Sequence, residues 1–206
     1  MFNIESRRTF FIPFIFILLI FLPLTFFIDE NIMHKIYGQE SAEISKENSD
    51  GWQTFSNSKF SFMYPENWKL EKKLSKFHVL DAKLIKDNPF SFLGISFSFL
   101  PNSEKLTNDI VLQQAEDFGK NSPNSIYSAY EILEKNLTKY SIDGNPSASH
   151  IVQYQLVENG LDGKLLEIYA IINNNLFTLD YRSTIENFDT DLPVINKIIN
   201  SLKITK

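Results

Sequence analysis

Nineteen consecutive residues, Phe10 to Ile28, carry no charge, and they are bracketed by Arg7-Arg8 on one side and Asp29-Glu30 on the other. As a helix rising about 1.5 Å per residue, such a run is about 28 Å long, close to the roughly 30 Å hydrocarbon core of a bilayer. The expected structure is one transmembrane helix, kinked rather than broken by Pro13 and Pro23, because freed backbone groups in lipid have few alternative partners. Basic residues before the run and acidic ones after it keep residues 1–9 in the cytoplasm and send everything beyond Ile28 outward. The body of the chain is therefore expected to be extracytoplasmic.

The run is longer than the apolar core of about 7 to 15 residues in a cleavable signal, and Asp29, Glu30 and Lys35 follow it in place of a small-residue cleavage pattern. Residues 10–28 read as a retained anchor. Cleavage after Ile36-Tyr37-Gly38 is the alternative, and it would yield a secreted protein. Ser6-Arg7-Arg8-Thr9-Phe10-Phe11 also resembles a twin-arginine export signal. Phe14 to Phe21 is more apolar than such signals usually are, so an ordinary basic flank is preferred.

Setting aside Arg7, Arg8 and Glu5 takes the net charge from -5 to -6, so the exported part lacks the basic excess that nucleic-acid binding requires. The chain has no cysteine, which excludes disulfides, thiolate metal sites, covalent c-type haem and a lipidated amino-terminal cysteine. Stability must come from an apolar core. Residues 29–50 are polar, with Glu40, Glu43, Lys46, Glu47 and Asp50 among Ser and Asn, and read as a flexible linker. What remains, residues 51–206, suits one domain.

At Trp52 the pattern changes. Phe60, Phe62 and Tyr64 alternate with Ser61 and Met63 until Pro65 ends the ladder, which predicts a strand with one buried face. Ile95, Phe97 and Phe99 alternate with Ser96 and Ser98 in the same way, and Val79 to Ile85 is the expected partner across the turn Lys86-Asp87-Asn88-Pro89. Three further strands, Ser149 to Val157, Lys164 to Ile172 and Leu176 to Thr184, have connections short enough for an antiparallel meander. Leu165 to Ile172 is apolar on both faces and should lie inside the sheet.

Thr107 caps a predicted helix reaching Lys120, with Leu106 and Val111 placed as a hydrophobic staple and Ile110, Val111, Ala115 and Phe118 as the buried stripe. A second helix is expected from Asp191, with Pro193 in its first turn and Leu192, Ile195, Ile199 and Leu202 facing inward. The fold class is α/β, or α+β: an antiparallel sheet of about six strands flanked by helices, behind one amino-terminal transmembrane helix.

Trp52, the segment Phe60-Ser61-Phe62-Met63-Tyr64-Pro65-Glu66-Asn67-Trp68, and a meander ending in a helix with Ile198-Ile199-Asn200-Ser201-Leu202 resemble the PsbP family. The resemblance spans Gly51 to Lys206 and implies an α/β/α sandwich. Its members include an extrinsic subunit of the photosynthetic oxygen-evolving complex, bacterial periplasmic lipoproteins and a factor that binds the Ran GTPase, which implies binding as the common activity. Trp52, Phe62, Tyr64, Pro65 and Trp68 match the family pattern as structural residues, aromatics for the core and a proline that stops a strand. The chain lacks the basic docking arm of the plant members, so a photosystem role is not implied.

Motifs for chemistry are sparse. His34, His78 and His150 have no metal-ligand spacing, no calcium loop occurs, and G-x-S-x-G, Walker and G-x-G-x-x-G patterns are missing. No cofactor, metal or catalytic set is nominated. Gly160 and Gly163 read as hairpin chemistry, and Asp189 and Asp191 as carboxylates suited to a helix start. Asn136-Leu137-Thr138 is a glycosylation sequon, and Glu71, Lys72, Lys73 and Lys76 form a solvated charged stretch. The favoured function is a non-catalytic binding or accessory module, tethered to the membrane and docking on a protein partner in a larger membrane or surface complex. A carrier of a small apolar ligand and a hydrolase built from scattered Ser, His and carboxylate groups are the alternatives.

Overall fold

The computed structural model describes residues 43–45, 51–71, 80–100, 103–122 and 125–205. The expected transmembrane helix at 10–28, most of the linker, His34 and His78 lie outside the described residues.

Strand β1 (Glu43–Ser45) falls within the stretch read as linker and pairs with β2 (Trp52–Ser56), which pairs with β3 (Phe60–Pro65). In β3 the alternation acts as read: Phe60, Phe62 and Tyr64 are buried, while Ser61 and Met63 are half-buried. The next strands are β4 (Lys69–Leu70), β5 (Ala82–Asp87) and β6 (Phe90–Phe99), followed by helix α1 (Asn108–Asn121). Then come β7 (Tyr127–Asn136), the short pair β8 (Ser141–Ile142) and β9 (Asn145–Pro146), and the meander β10 (Ala148–Leu156), β11 (Asp162–Ile172) and β12 (Asn175–Ser183). Helix α2 (Ile185–Ser201) and β13 (Lys203–Ile204) close the chain.

Every strand pairing among the described residues is antiparallel. The main sheet has seven strands in the order β4-β5-β6-β12-β11-β10-β7, and β1-β2-β3-β13 form a second, four-stranded sheet. Phe60, Phe62, Leu93, Ile95, Tyr181 and Phe188 belong to one core, filling the space between one face of the main sheet, the small sheet and α2. On the opposite face, α1 packs Val111, Leu112 and Ala115 against Ala148 and Tyr169. The Phe60 strand therefore belongs to a second layer rather than to the main sheet.

Four expectations are corrected. Helix α2 starts at Ile185, six residues before Asp191, so Pro193 and Asp191 are interior to it and Asp191 is buried instead of capping a helix end. Thr107 does cap α1, accepting from the Ile110 N–H at 3.3 Å, but Ile110 is 40% exposed and Leu112 takes its place inside. Phe99 is 66% exposed because β6 reaches the sheet's end there, opposite Asn175. The partner strand of β6 begins at Ala82, after residues 80 and 81 outside any strand, and Val79 lies outside the described residues. No period of two along Tyr127–Asn136 marks strand β7 in the sequence. Two register shifts against β10 separate its inward residues, Tyr127, Tyr130 and Ile132, by unequal steps, which erases the period of two.

Candidate functional site

Cross-strand register assembles the densest group of ionisable side chains. His150 on β10 stands opposite Glu167 on β11, and Glu167 stands opposite Asp180 on β12. Two residues along, Arg182 pairs with Leu165, and the side chains of His150, Glu167, Asp180 and Arg182 lie on the face that α1 partly covers. Burial on this face is nearly complete: the side chains of His150 and Glu167 are 0% and 4% exposed.

His150 Nε2 hydrogen-bonds the Glu167 Oε2. Its Nδ1, which has no hydrogen-bond partner among the described residues, faces Glu116 Oε1 of α1 at 3.7 Å. Lys135 Nζ lies 3.4 Å from Glu116 and 3.3 Å from Asp109, tying β7 to α1. Tyr130 and Tyr169 flank the imidazole edge-on, each with its ring centroid 6.3 Å away. Helix α1 approaches this closely because residue 119 is glycine: a Cβ there would sit 2.4 Å from the Tyr130 ring.

The same surroundings act oppositely on the two carboxyls. Burial opposes ionisation of Glu167, but the hydrogen bond and charge of His150, helped by Arg182, outweigh it and hold the carboxyl below its ordinary value. Burial, then the charge of Glu167, pushes Asp180 up to about 7, more than Arg182 at 3.6 Å can offset. Desolvation raises the phenols of Tyr127, Tyr130 and Tyr169. The group thus sets one carboxyl that His150 holds toward its ionised form beside another that burial and Glu167 hold toward its protonated form.

A second polar cluster lies on the other face. Ser91 Oγ meets Ser183 Oγ at 2.9 Å and donates to Asp191 Oδ2 at 2.7 Å, and Lys86 Nζ reaches Asp191 Oδ1 at 2.7 Å. These contacts pin α2 to the sheet. The main sheet thus separates this serine–carboxylate cluster from the histidine–carboxylate cluster, whereas a hydrolase triad needs serine and histidine in one cleft. Neither cluster is legible in the sequence, because cross-strand register and helix packing create them from residues 13 to 105 positions apart. The one usable signal was polar residues interrupting the apolar strands at Glu167 and Asp180.

The residues singled out from sequence are dispersed. Phe62, Tyr64 and Trp68 are buried in the main core, Trp52 packs against it under Lys197 Nζ at 4.0 Å, and Pro65 ends β3. Asn136 ends β7, its Oδ1 accepting from the N–H groups of Thr138 and Lys139 at 2.9 and 2.7 Å. Asp189, 73% exposed, meets Lys164. Gly160 adopts φ 68° in the β10–β11 turn, and Gly163 lies inside β11 beneath Tyr154. Glu71 pairs with Lys83, while Lys72, Lys73 and Lys76 lie outside the described residues.

The family pattern described as PsbP-like protein matches residues 12–204. The chain belongs to the PsbP-like protein family. Among solved structures, the PsbP-like chain is similar to cyanobacterial PsbP (CyanoP) from Synechocystis sp. PCC 6803, with 15% identity and a TM-score of 0.53 over 80% of this chain and 92% of that one. It is also similar to LpqN of Mycobacterium tuberculosis, described as involved in cell envelope biogenesis, with 14% identity and a TM-score of 0.51 over 86% and 97% of the two chains. At such identities the likeness carries the PsbP-like fold alone. No curated protein matches the sequence.

Proposed function

We propose that this PsbP-like chain is a non-catalytic binding module, held outside the cytoplasm by its first apolar segment and docking on a larger membrane or surface complex. The observation that carries this reading is the extent of the family match. It begins at residue 12, inside the uncharged run, and continues to residue 204, so leader and domain form one family pattern. The separation of serine and histidine clusters by the main sheet favours binding over hydrolysis. Phe55, Phe60, Phe62 and Phe177, which an apolar-ligand carrier would turn toward its cargo, are in ring contact with one another.

Because the chain has no cysteine, topology is testable with single introduced thiols. In intact cells a membrane-impermeant maleimide should label Asn159→Cys, and label Asn3→Cys only after permeabilisation. The reverse pattern overturns the reading. Crosslinking in membranes with the anchor intact should recover one stoichiometric complex, and recovery of this protein alone counts against docking. In the same setting Asn136 is proposed as a glycan acceptor, seen as a mass increment that Asn136→Gln removes.

A further inference from the structure

At one end of the main sheet, β5 turns into β6, β12 gives way to α2 and β10 turns into β11. Four apolar side chains stand in solvent there: Phe90 (53% exposed), Ile185 (36%), Leu161 (60%) and Val157 (61%). Strands β6, β12, β11 and β10 are consecutive neighbours, so the four residues, each at or just beyond a strand end, line up along one end of the sheet over about 14 Å at about 4.8 Å per strand. Single exposed apolar residues need no explanation, but a row of them marks an interaction surface. Hydrogen bonds fix the row's backbone: Ser183 Oγ donates to the Phe90 carbonyl at 3.2 Å, and the Leu161 carbonyl accepts from Leu156 at 2.9 Å.

Charge selects what covers it. The lysines at this end are engaged within the domain, Lys69 with Asp87, Lys86 with Asp191 and Lys164 with Asp189. Glu158 and Glu186 have no ion-pair partner among the described residues, and Asp162 meets the Gln155 amide at 3.2 Å. Asp117 and Lys120, toward the nearby end of α1, add no net formal charge. The row is therefore rimmed by uncompensated negative charge, which repels both an anionic lipid surface and a second copy of the same end. The chain also enters the domain elsewhere. Glu43 pairs with Ser56, beside the turn whose Lys59 bonds Asp81 and the Phe97 carbonyl, toward the far end of β6.

We propose that this end of the sheet docks a polypeptide segment of a partner protein that presents apolar side chains flanked by lysine or arginine. The proposal rests on the binding-module reading and names the surface and the partner chemistry. Its test uses the full chain in lipid nanodiscs and two fluorescent peptides with the same leucine–phenylalanine core, one flanked by lysines and one by glutamates.

The lysine-flanked peptide should bind, more weakly as salt rises. The exposed-site variants Glu158→Lys/Glu186→Lys and Phe90→Ser/Leu161→Ser should each weaken it by about tenfold or more, and the charge-reversed variant should now prefer the glutamate-flanked peptide. Equal binding of both peptides, indifference to these substitutions, binding of peptide-free anionic vesicles, or a dimer abolished by Phe90→Ser/Leu161→Ser each overturns it. A photo-crosslinker placed at position 90, 161 or 99 in native membranes separates the two levels. Adducts from position 99 alone overturn this surface and leave the binding module standing, whereas adducts from none of the three remove both.

Discussion

Asp180 and Glu167 face each other across one strand spacing, and each changes the free energy of folding differently with pH. An acid whose folded value lies above its unfolded one binds a proton in the native state that the unfolded chain has released. Stability should therefore fall as pH rises from about 4 to about 7 through Asp180, at up to about 1.4 kcal/mol per unit. Asp180→Asn should flatten that interval, read from urea midpoints across pH. Glu167 has the opposite sign: its contribution is present above about pH 4.3 and is lost as pH falls through its lowered folded value. In Glu167→Gln the charge that helps raise Asp180 is gone, so the Asp180 carboxyl followed by NMR should titrate below about 7. Gly119 invites a steric test. Alanine favours helices over glycine by about 1 kcal/mol, yet its Cβ collides with the Tyr130 ring, so Gly119→Ala should destabilise by about 1–3 kcal/mol. In a Tyr130→Ala background the same change should become neutral or stabilising, a coupling that a double-mutant cycle measures.

Among the elements, those with a clean local period were legible. The alternation of β3, the meander β10 to β12 and the Thr107 cap all follow from side-chain spacing and cap chemistry within a few residues. Thr107→Ala should lower stability by about 1 kcal/mol, measured by thermal melting. Pro193 fits a first helical turn locally, but contacts distant in sequence hold Asp191 inside the helix, where Lys86 and Ser91 bond its carboxylate; nearer by, Phe188 is buried at ring distance 4.9 Å from Tyr181. Removing that anchor with Asp191→Ala leaves Ser91 and Lys86 without their carboxylate, and should cost about 2–3 kcal/mol in chemical denaturation, less than a fully buried pair because Lys86 is partly exposed. Strand β7 was illegible because bulges, a property of pairing, destroyed its period.

At the scale of the molecule, the main sheet with α1 on one face and α2 on the other places one ionisable group under α1, another under α2, and an apolar, acid-rimmed row at one end of the main sheet. The buried core draws on residues 55 to 202, so a chain beginning at Gly51 should unfold cooperatively in a thermal melt without the apolar segment. The sequence by itself determined the absence of disulfides, the acidic charge, the apolar leading segment, the family pattern and the period of most strands, because each depends on composition or on neighbours a few positions apart. Tertiary structure alone decided that the Phe60 strand lies in a second sheet, that His150 meets Glu167 and Glu116, and that Phe90, Ile185, Leu161 and Val157 align at one end. Strand order and register bring distant residues within a few ångströms, and no spacing along the chain encodes that proximity.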